Sequence, residues 1–269
     1  MRPQQYNGEV LSSIYIGTAG WSVPEEYAGD FPAEGTHLER YARSLSCVEI
    51  NSSFYKPHRP ATYVRWAAAV PDGFRFAVKI PKEITHRLKL VNTAAALDGF
   101  LAEVSGLGAK LGPLLVQLPP SLNFDPNIAG AFFSCLRERF TGSVVCEPRH
   151  ATWFSREAQD LLTDLRIARV AADPAPVPAA VDPGGWEGLV YYRLHGSPRI
   201  YYSKYDDEYL ATLSQNLESM SQSAPVWCIF DNTALGSAAG NALRLVSRLS
   251  FPSPNTPMQR PVRHAEVPR

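Results

Sequence analysis

Charged side chains occur at the ends of several short apolar segments of this sequence. Four of them suit acid–base or nucleophilic chemistry: Lys79, Glu147, His195 and Asp231. Histidine and carboxylates transfer protons, and a desolvated lysine can act as a base or form a Schiff base. Because charges inside apolar segments are costly to bury unless they are paired or used, we take these four as candidate catalytic residues.

A second set of side chains suits ligand binding. Arginine offers a bidentate fork for phosphate or carboxylate, and flat aromatic rings can wall a pocket for a ring or a sugar. The candidate ligand-binding residues are Thr18, Trp21, Glu49, Asn51, Tyr55, His86, Arg149, His150, Arg193, Tyr205 and Asn232. We therefore expect a small anionic or sugar-like, hydroxylated ligand.

The candidate residues follow or end a series of short apolar runs with the character of buried parallel strands. Each run has four to six residues, most are rich in Val, Ile or aromatic residues, and Gly, Pro, Asn or Asp bound them. The runs are Ile14–Gly17, Cys47–Asn51, Phe74–Lys79, Leu114–Leu118, Ser143–Glu147, Ile167–Ala172, Leu189–Leu194 and Val226–Asp231.

Helical patterns alternate with these runs. Thr36 and Glu39 form a capping-box pattern, and Asp125 precedes a proline at a predicted helix start. The sixth crossover, residues 173–188, has no helical period, so its helix is expected to be short or missing.

Eight strands alternating with about seven helices predict a single TIM-type (β/α)₈ barrel over residues 11–250. A doubly wound sheet is the alternative, but residues 17–20 lack the third glycine of a dinucleotide-binding loop. In a barrel, the loops after the strands build the active site, so the candidate residues should gather at one face. Residues 1–10 are expected to be a polar lead-in, and residues 251–269 a flexible Pro/Arg-rich tail.

The same charges could form a structural ion network, alone or together with a functional site. In that interpretation Lys79 pairs with Glu49 or Glu147, and Arg193 pairs with Asp231. Ion networks also occupy barrel mouths, so the sequence leaves both interpretations open.

Composition limits the classes of partner. The chain has 26 Lys plus Arg and 26 Asp plus Glu, so bulk charge does not favour broad binding to nucleic acid or anionic membranes. Its four cysteines form no CxxC pair, and most lie in apolar runs, which is typical of buried cysteines in a reducing cytoplasm. We expect a cytoplasmic protein without membrane spans.

Seven segments between residues 14 and 249 carry motifs: IGTAGW, VEINSSFYKPHRPATYVRW, GFRFAVKIPKEITH, LGPLLVQLPPSLNFD, CEPRHATWF, YYRLHGSPRIYYSKY and FDNTALGSAAGNALRL. In this order they resemble the domain-of-unknown-function 72 family, also called YecE-like. The resemblance implies a TIM-barrel fold and leaves the reaction open. The family's polar motif positions correspond here to Lys79, His86, Glu147, Arg149, His150, Arg193, His195, Asp231 and Asn232. The family often has Asp-Asn-Asp after strand eight, whereas this chain has Asp231-Asn232-Thr233.

Three functions stay open at this point. The first is an enzyme or binder for a small anionic or hydroxylated ligand, with no redox cofactor. The second is a hydrolase or isomerase dependent on a divalent metal, with Glu49, Glu147, His195 and Asp231 as ligands, although nearby Lys79 and Arg193 would repel a cation. The third, less favoured, is a non-catalytic module for nucleotides or nucleic acid. The oligomeric state is left open.

Overall fold

The computed structural model describes residues 14–250, and the predicted lead-in and tail lie outside the described residues. Within this range the strands are β1 (Ile14–Ala19), β2 (Cys47–Ile50), β3 (Arg75–Lys79), β4 (Leu111–Gln117), β5 (Val144–Glu147), β6 (Ile167–Arg169), β7 (Ala171–Asp173), β8 (Gly184–Gly185), β9 (Val190–Leu194) and β10 (Val226–Phe230).

These strands form one sheet with the order β7-β9-β10-β1-β2-β3-β4-β5-β6-β8. Every pairing is parallel except β6 with β8. Only Val170 separates β6 from β7, so one continuous segment pairs with β5 through its first half and with β9 through its second. The sheet therefore curls into a nearly closed, mostly parallel barrel, and the prediction of a TIM-like barrel is confirmed. With β6 and β7 counted as one, eight parallel segments match the predicted runs, and the short antiparallel strand β8 is an addition.

Helices surround this barrel, and two of them begin at the predicted caps. The α-helices of the described range are α1 (His37–Ala42), α2 (Ser52–Tyr55), α3 (Pro60–Ala68), α4 (Ala94–Val104), α5 (Pro126–Arg139), α6 (Arg156–Asp164), α7 (Asp207–Ser221) and α8 (Ser237–Ser250). The Thr36–Glu39 capping box precedes α1, and the Asp125 carboxylate caps α5 through the N–H groups of Asn127 and Ile128. No helix in residues 14–250 has the length and apolar character needed to cross a membrane.

The sixth crossover lacks a full helix, as predicted. A 3₁₀ turn (Pro178–Ala180) and the short strand β8 replace it. The Gln159 side chain of α6 anchors this segment by exchanging two hydrogen bonds with the backbone of Gly185. A pocket of about 720 Å³ lies beside it, lined in part by Trp186 and Met220.

Strand side chains alternate between two hydrophobic layers. In β2, Val48 and Ile50 join the large core between barrel and helices, whereas Cys47 joins a smaller cluster with residues of the other strands. That smaller cluster fills the barrel interior and includes Cys47, Ala77, Leu115, Val145, Tyr191, Trp227 and Ile229. Because alternation has a period of two, the residue two positions beyond each of these also projects inward.

Candidate functional site

Five charged residues occupy the inward position next to the carboxyl ends of the strands. They are Glu49, Lys79, Glu147, Arg193 and Asp231, each two positions beyond a residue of the interior cluster. The strand period therefore brings together charges that are far apart in the sequence. His195 extends the same face of the chain beyond β9.

Arg193 is the centre of this arrangement. Its guanidinium is 1% exposed and contacts three carboxylates. Nε and Nη2 donate to the two oxygens of Glu49 at 3.0 and 2.6 Å, Nη1 donates to Glu147 Oε2 at 2.6 Å, and Nη2 donates to Asp231 Oδ2 at 2.9 Å. Tyr191 adds a hydrogen bond from its hydroxyl to Glu49 Oε2 at 2.8 Å. The planar fork of arginine suits this multiple, charge-assisted pairing.

His195 bridges two of these carboxylates. Its Nδ1 lies 3.0 Å from Asp231 Oδ2, and its Nε2 lies 2.9 Å from Glu147 Oε1. Ionised carboxylates only accept hydrogen bonds, so the imidazole satisfies both when both ring nitrogens carry a proton. Burial lowers the pKa of His195, but the charge of Glu147 and the hydrogen bonds to both carboxylates outweigh this effect and raise it.

Arg149 completes the group that we call the Arg193 network: Arg193, His195, Arg149, Glu49, Glu147 and Asp231. Arg149 Nη2 donates to Glu147 Oε1 at 2.8 Å and lies 3.2 Å from His195 Nε2. Its side chain is 24% exposed, whereas those of Glu147 and Arg193 are almost fully buried. Arg149 is therefore the cation of the network that reaches toward solvent.

Pairing decides the ionisation of the buried acids. Burial alone would raise the pKa of Glu147, but Arg193 and the other surrounding cations hold it well below its usual range. Asp231 follows the same pattern, with burial raising its pKa and Arg193 and His195 lowering it. With His195 protonated, the three cations of the network balance its three carboxylates.

Lys79 lies at the end of β3 as a further cation. Its Nζ is 4.1 Å from the centre of the Phe54 ring, and its side chain is half-buried. It forms no ion pair with any residue in the described range. Burial, followed by the charge of Arg193, lowers the pKa of Lys79 to about 8.

The predicted structural network therefore needs one correction. Arg193 pairs with Asp231 as expected, but Lys79 pairs with neither Glu49 nor Glu147. The reason is that the guanidinium of Arg193 engages both of those carboxylates.

One predicted residue, His86, lies near this group without a direct bond to it. His86 contacts the Phe54 ring edge-on at 5.0 Å and lies in a π-helical turn (Glu83–Arg87). Its pKa is lowered by burial and by the positive charge of Lys79, Lys82 and Arg149, which indicates an electropositive surrounding. Glu49, in contrast, is fully buried below Arg193.

Four predicted ligand-binding residues have structural contacts instead. The Thr18 hydroxyl bonds Tyr41 and the Gly20 carbonyl. His150 accepts from Thr152 N at the start of a 3₁₀ turn.

Tyr205 donates to the carboxylate of Asp173, and Asn232 bonds Ser203 and Asn241. The structure gives none of Thr18, His150, Tyr205 or Asn232 a direct bond to the Arg193 network.

The side chains of the remaining three predicted residues, Trp21, Asn51 and Tyr55, have no hydrogen bond to the Arg193 network. Trp21 packs edge-on against Trp66, and the Tyr55 side chain is 75% exposed. The buried Asn51 Oδ1 has no hydrogen-bond partner within residues 14–250.

Two residues of the site were missed. Tyr191 was missed because an aromatic residue in a strand is typical of core, although its position two residues before Arg193 on one strand face was a usable signal. Phe54, whose ring contacts both Lys79 and His86, carried no signal beyond its place after β2.

The described residues contain no group of three or more His, Cys, Asp or Glu side chains positioned to hold a metal ion. Three of the four ligands of the metal hypothesis, Glu49, Glu147 and Asp231, are ion-paired with Arg193 and accept its hydrogen bonds. The donor set therefore fits a guanidinium better than a divalent cation.

Fold and site together define the class of this protein: a mostly parallel α/β barrel with a buried ion network at the carboxyl ends of its strands. The sequence model of the family described as "Protein of unknown function DUF72" matches residues 15–264. The chain belongs to this family.

Relatives of known sequence agree with this assignment. The UPF0759 protein YecE of Escherichia coli strain K12 is 34% identical over 175 residues, 62% of this chain and 61% of YecE. The match thus spans about three fifths of the length of that relative. The UPF0759 protein YunF of Bacillus subtilis strain 168 is 22% identical over 88% of this chain and 95% of YunF.

Two solved structures share the fold. A DUF72 family protein from Enterococcus faecalis V583 has a TM-score of 0.75 at 23% identity, covering 89% of this chain and 96% of that one. A DUF72 family protein from Thermotoga maritima MSB8 has a TM-score of 0.73 at 24% identity, covering 88% and 99% respectively.

Proposed function

We propose that this barrel binds a small ligand carrying a phosphate or carboxylate group at the carboxyl ends of its strands. The observation that carries the proposal is the unpaired ammonium of Lys79 beside a network whose own charges balance. A half-buried cation without a counter-ion is costly, and an anion that enters the mouth relieves that cost. Arg149, which faces solvent more than the other network cations, supplies a second donor.

We further propose that His195 transfers a proton to or from this ligand, with Glu147 orienting the imidazole. His195 Nε2 can lose its proton without being left unpaired, because Arg149 Nη2 lies 3.2 Å away and can then donate to it. Asp231 meanwhile holds Nδ1 and fixes the orientation of the ring. This arrangement supports general acid–base chemistry, in which a positioned imidazole contributes most near its own pKa.

Nothing in the site favours the metal or nucleic-acid alternatives over the anion proposal. The network acids are occupied by Arg193. The four free cysteines, three of them buried, support the expected reducing, cytoplasmic location.

Thermal unfolding with added anions tests the proposal. We expect inorganic phosphate or a small carboxylate to stabilise the protein, and a ligand at about 100 times its Kd would add roughly 2.7 kcal/mol. Lys79→Met should abolish the shift, whereas Lys89→Met, which removes an exposed lysine of the loop after β3, should leave it unchanged.

The measurement should be repeated with sodium chloride at matched ionic strength to separate binding from screening. An equal shift in the wild type and in Lys79→Met would contradict the proposed role of Lys79. No shift with any small anion would overturn the binding proposal.

A further inference from the structure

Lys79 combines three features that a purely electrostatic anion contact does not need. Its ammonium lies over an aromatic ring and not beside a carboxylate, its side chain is half-buried, and it projects inward where the strands end. A lysine that only holds an anion works best when fully charged. Burial and the nearby charge of Arg193 instead increase the fraction of neutral amine, while the ammonium remains the main form at neutral pH.

We propose that Lys79 is a nucleophile that forms an imine with the carbonyl group of a small anionic substrate. The inference rests on the proposed function, because the substrate's carboxylate or phosphate would occupy the electropositive mouth beside Arg149. A carbonyl carbon attached to that anionic group would then lie close to the amine. The substrate class is therefore a carbonyl compound that bears a carboxylate or phosphate.

The reaction balances with groups present in the site. The neutral amine of Lys79 attacks the carbonyl carbon, and the carbonyl oxygen takes a proton from the imidazolium of His195. The resulting carbinolamine loses a proton from nitrogen, gains one on its hydroxyl, and releases water. The product is a protonated imine, so its positive charge equals that of the original ammonium, and no oxidant or reductant is required.

The network supplies the proton of the first step, takes one back from the carbinolamine nitrogen, and gives it to the departing hydroxyl. His195 therefore ends neutral and regains a proton from solvent, which balances the proton that the Lys79 ammonium released before the attack. The two ring nitrogens of the His195 imidazolium donate hydrogen bonds to Glu147 Oε1 and Asp231 Oδ2. When Nε2 gives up its proton, Arg149 Nη2 is the neighbouring donor at 3.2 Å. Glu147 accepts from Arg193 and Arg149 throughout, so its charge stays compensated.

The electrostatics of Lys79 support this chemistry. Burial and the charge of Arg193 lower the pKa of Lys79 to about 8 from an ordinary value of 10.5. At neutral pH the fraction of free amine is then higher by about two orders of magnitude than in an exposed lysine. Only the free amine attacks a carbonyl carbon.

Reductive trapping tests the inference. The intact protein is incubated with glyoxylate, an aldehyde that bears a carboxylate, then treated with sodium borohydride, and the modified lysines are mapped by peptide mass spectrometry. We expect Lys79 to be modified at least ~10-fold faster than the exposed Lys89 and Lys204 at pH 7. Added phosphate should slow the modification of Lys79 and leave that of Lys89 unchanged.

Lys79→Arg separates this inference from the binding proposal. Arginine keeps the cation but forms no imine under these conditions, so the variant should retain an anion-dependent thermal shift and lose the preferred adduct. Circular dichroism shows whether the variant is folded, and the wild-type mapping stands even if it is not. Modification of Lys79 no faster than that of Lys89 would overturn the inference. If the wild type still shows the anion shift in that case, the proposed function survives; if it does not, both fail.

Discussion

At the residue scale, Arg193 is the group on which the site depends. It is buried together with Glu49, Glu147 and Asp231, and its guanidinium is their shared counter-ion. The desolvation of so many charges is offset only while all partners are present. Removing the centre would leave buried carboxylates that face each other.

Replacing Arg193 by Met should therefore lower the free energy of unfolding by about 3–5 kcal/mol, measured by urea denaturation. Arg156→Met is the control, because Arg156 is 94% exposed and its pair with Asp160 is worth less than about 1 kcal/mol. A loss below about 1 kcal/mol for Arg193→Met would mean that the network is not the stabilising feature described here.

His195 predicts a pH dependence with a defined sign. Its pKa in the folded protein lies above the ordinary value of 6.5, because the charge of Glu147 and the hydrogen bonds to Asp231 and Glu147 overcome the effect of burial. The stabilisation from this group is complete below about pH 6.5 and is lost as pH rises through the folded-state pKa.

The comparison that isolates this effect is the difference in unfolding free energy between the wild type and His195→Gln, measured from pH 6 upward in about half-unit steps. This difference should shrink as pH rises. Subtraction removes the contribution of Lys79, whose lowered pKa acts with the opposite sign at higher pH. A difference that grows with pH would contradict the assigned imidazolium.

At the element scale, the sixth crossover is the least regular part of the described barrel. It keeps its place through Gly185, which has φ +67°, pairs with Ala168, and exchanges hydrogen bonds with Gln159. A Cβ at Gly185 would clash with the backbone carbonyl oxygen of Ile167. Gly185 therefore lets the crossover pack against the barrel without a full helix.

Gly185→Ala should destabilise the protein by about 1–3 kcal/mol, because the side chain meets both a left-handed backbone and a carbonyl oxygen. Gly130→Ala provides a matched change of opposite sign. Gly130 lies inside α5, where a Cβ finds only ordinary contact with Leu161, so alanine should stabilise by about 0.5–1 kcal/mol. Thermal or urea unfolding of both variants measures the two changes in stability. Equal changes would contradict the special role of Gly185.

At the scale of the whole molecule, closure of the barrel brings residues that are far apart in the sequence into contact. Glu49 and Arg193 are 144 residues apart and join through two hydrogen bonds. The zero net charge of the chain does not reveal this local separation, in which three acids are buried in the network while Lys79 and Arg149 lie toward the mouth. A site for a small anion is compatible with a chain of zero net charge for this reason.

The sequence by itself determined the strands, their alternation with helices, and the face on which the charges lie. These follow from local patterns: short apolar runs, the capping residues Thr36 and Asp125, and the period of two that carries Tyr191 and Arg193 to one side. The missing sixth helix was also visible, because residues 173–188 have no helical period.

Only the tertiary structure decided which charges pair. The choice of Arg193 as partner of both Glu49 and Glu147, and the isolation of Lys79 over Phe54, depend on distances across the barrel interior. Those distances are set by strand tilt and by the closure of the sheet at Val170. No local pattern encodes them, since every inward charge near the strand ends is an equivalent partner until the barrel has closed.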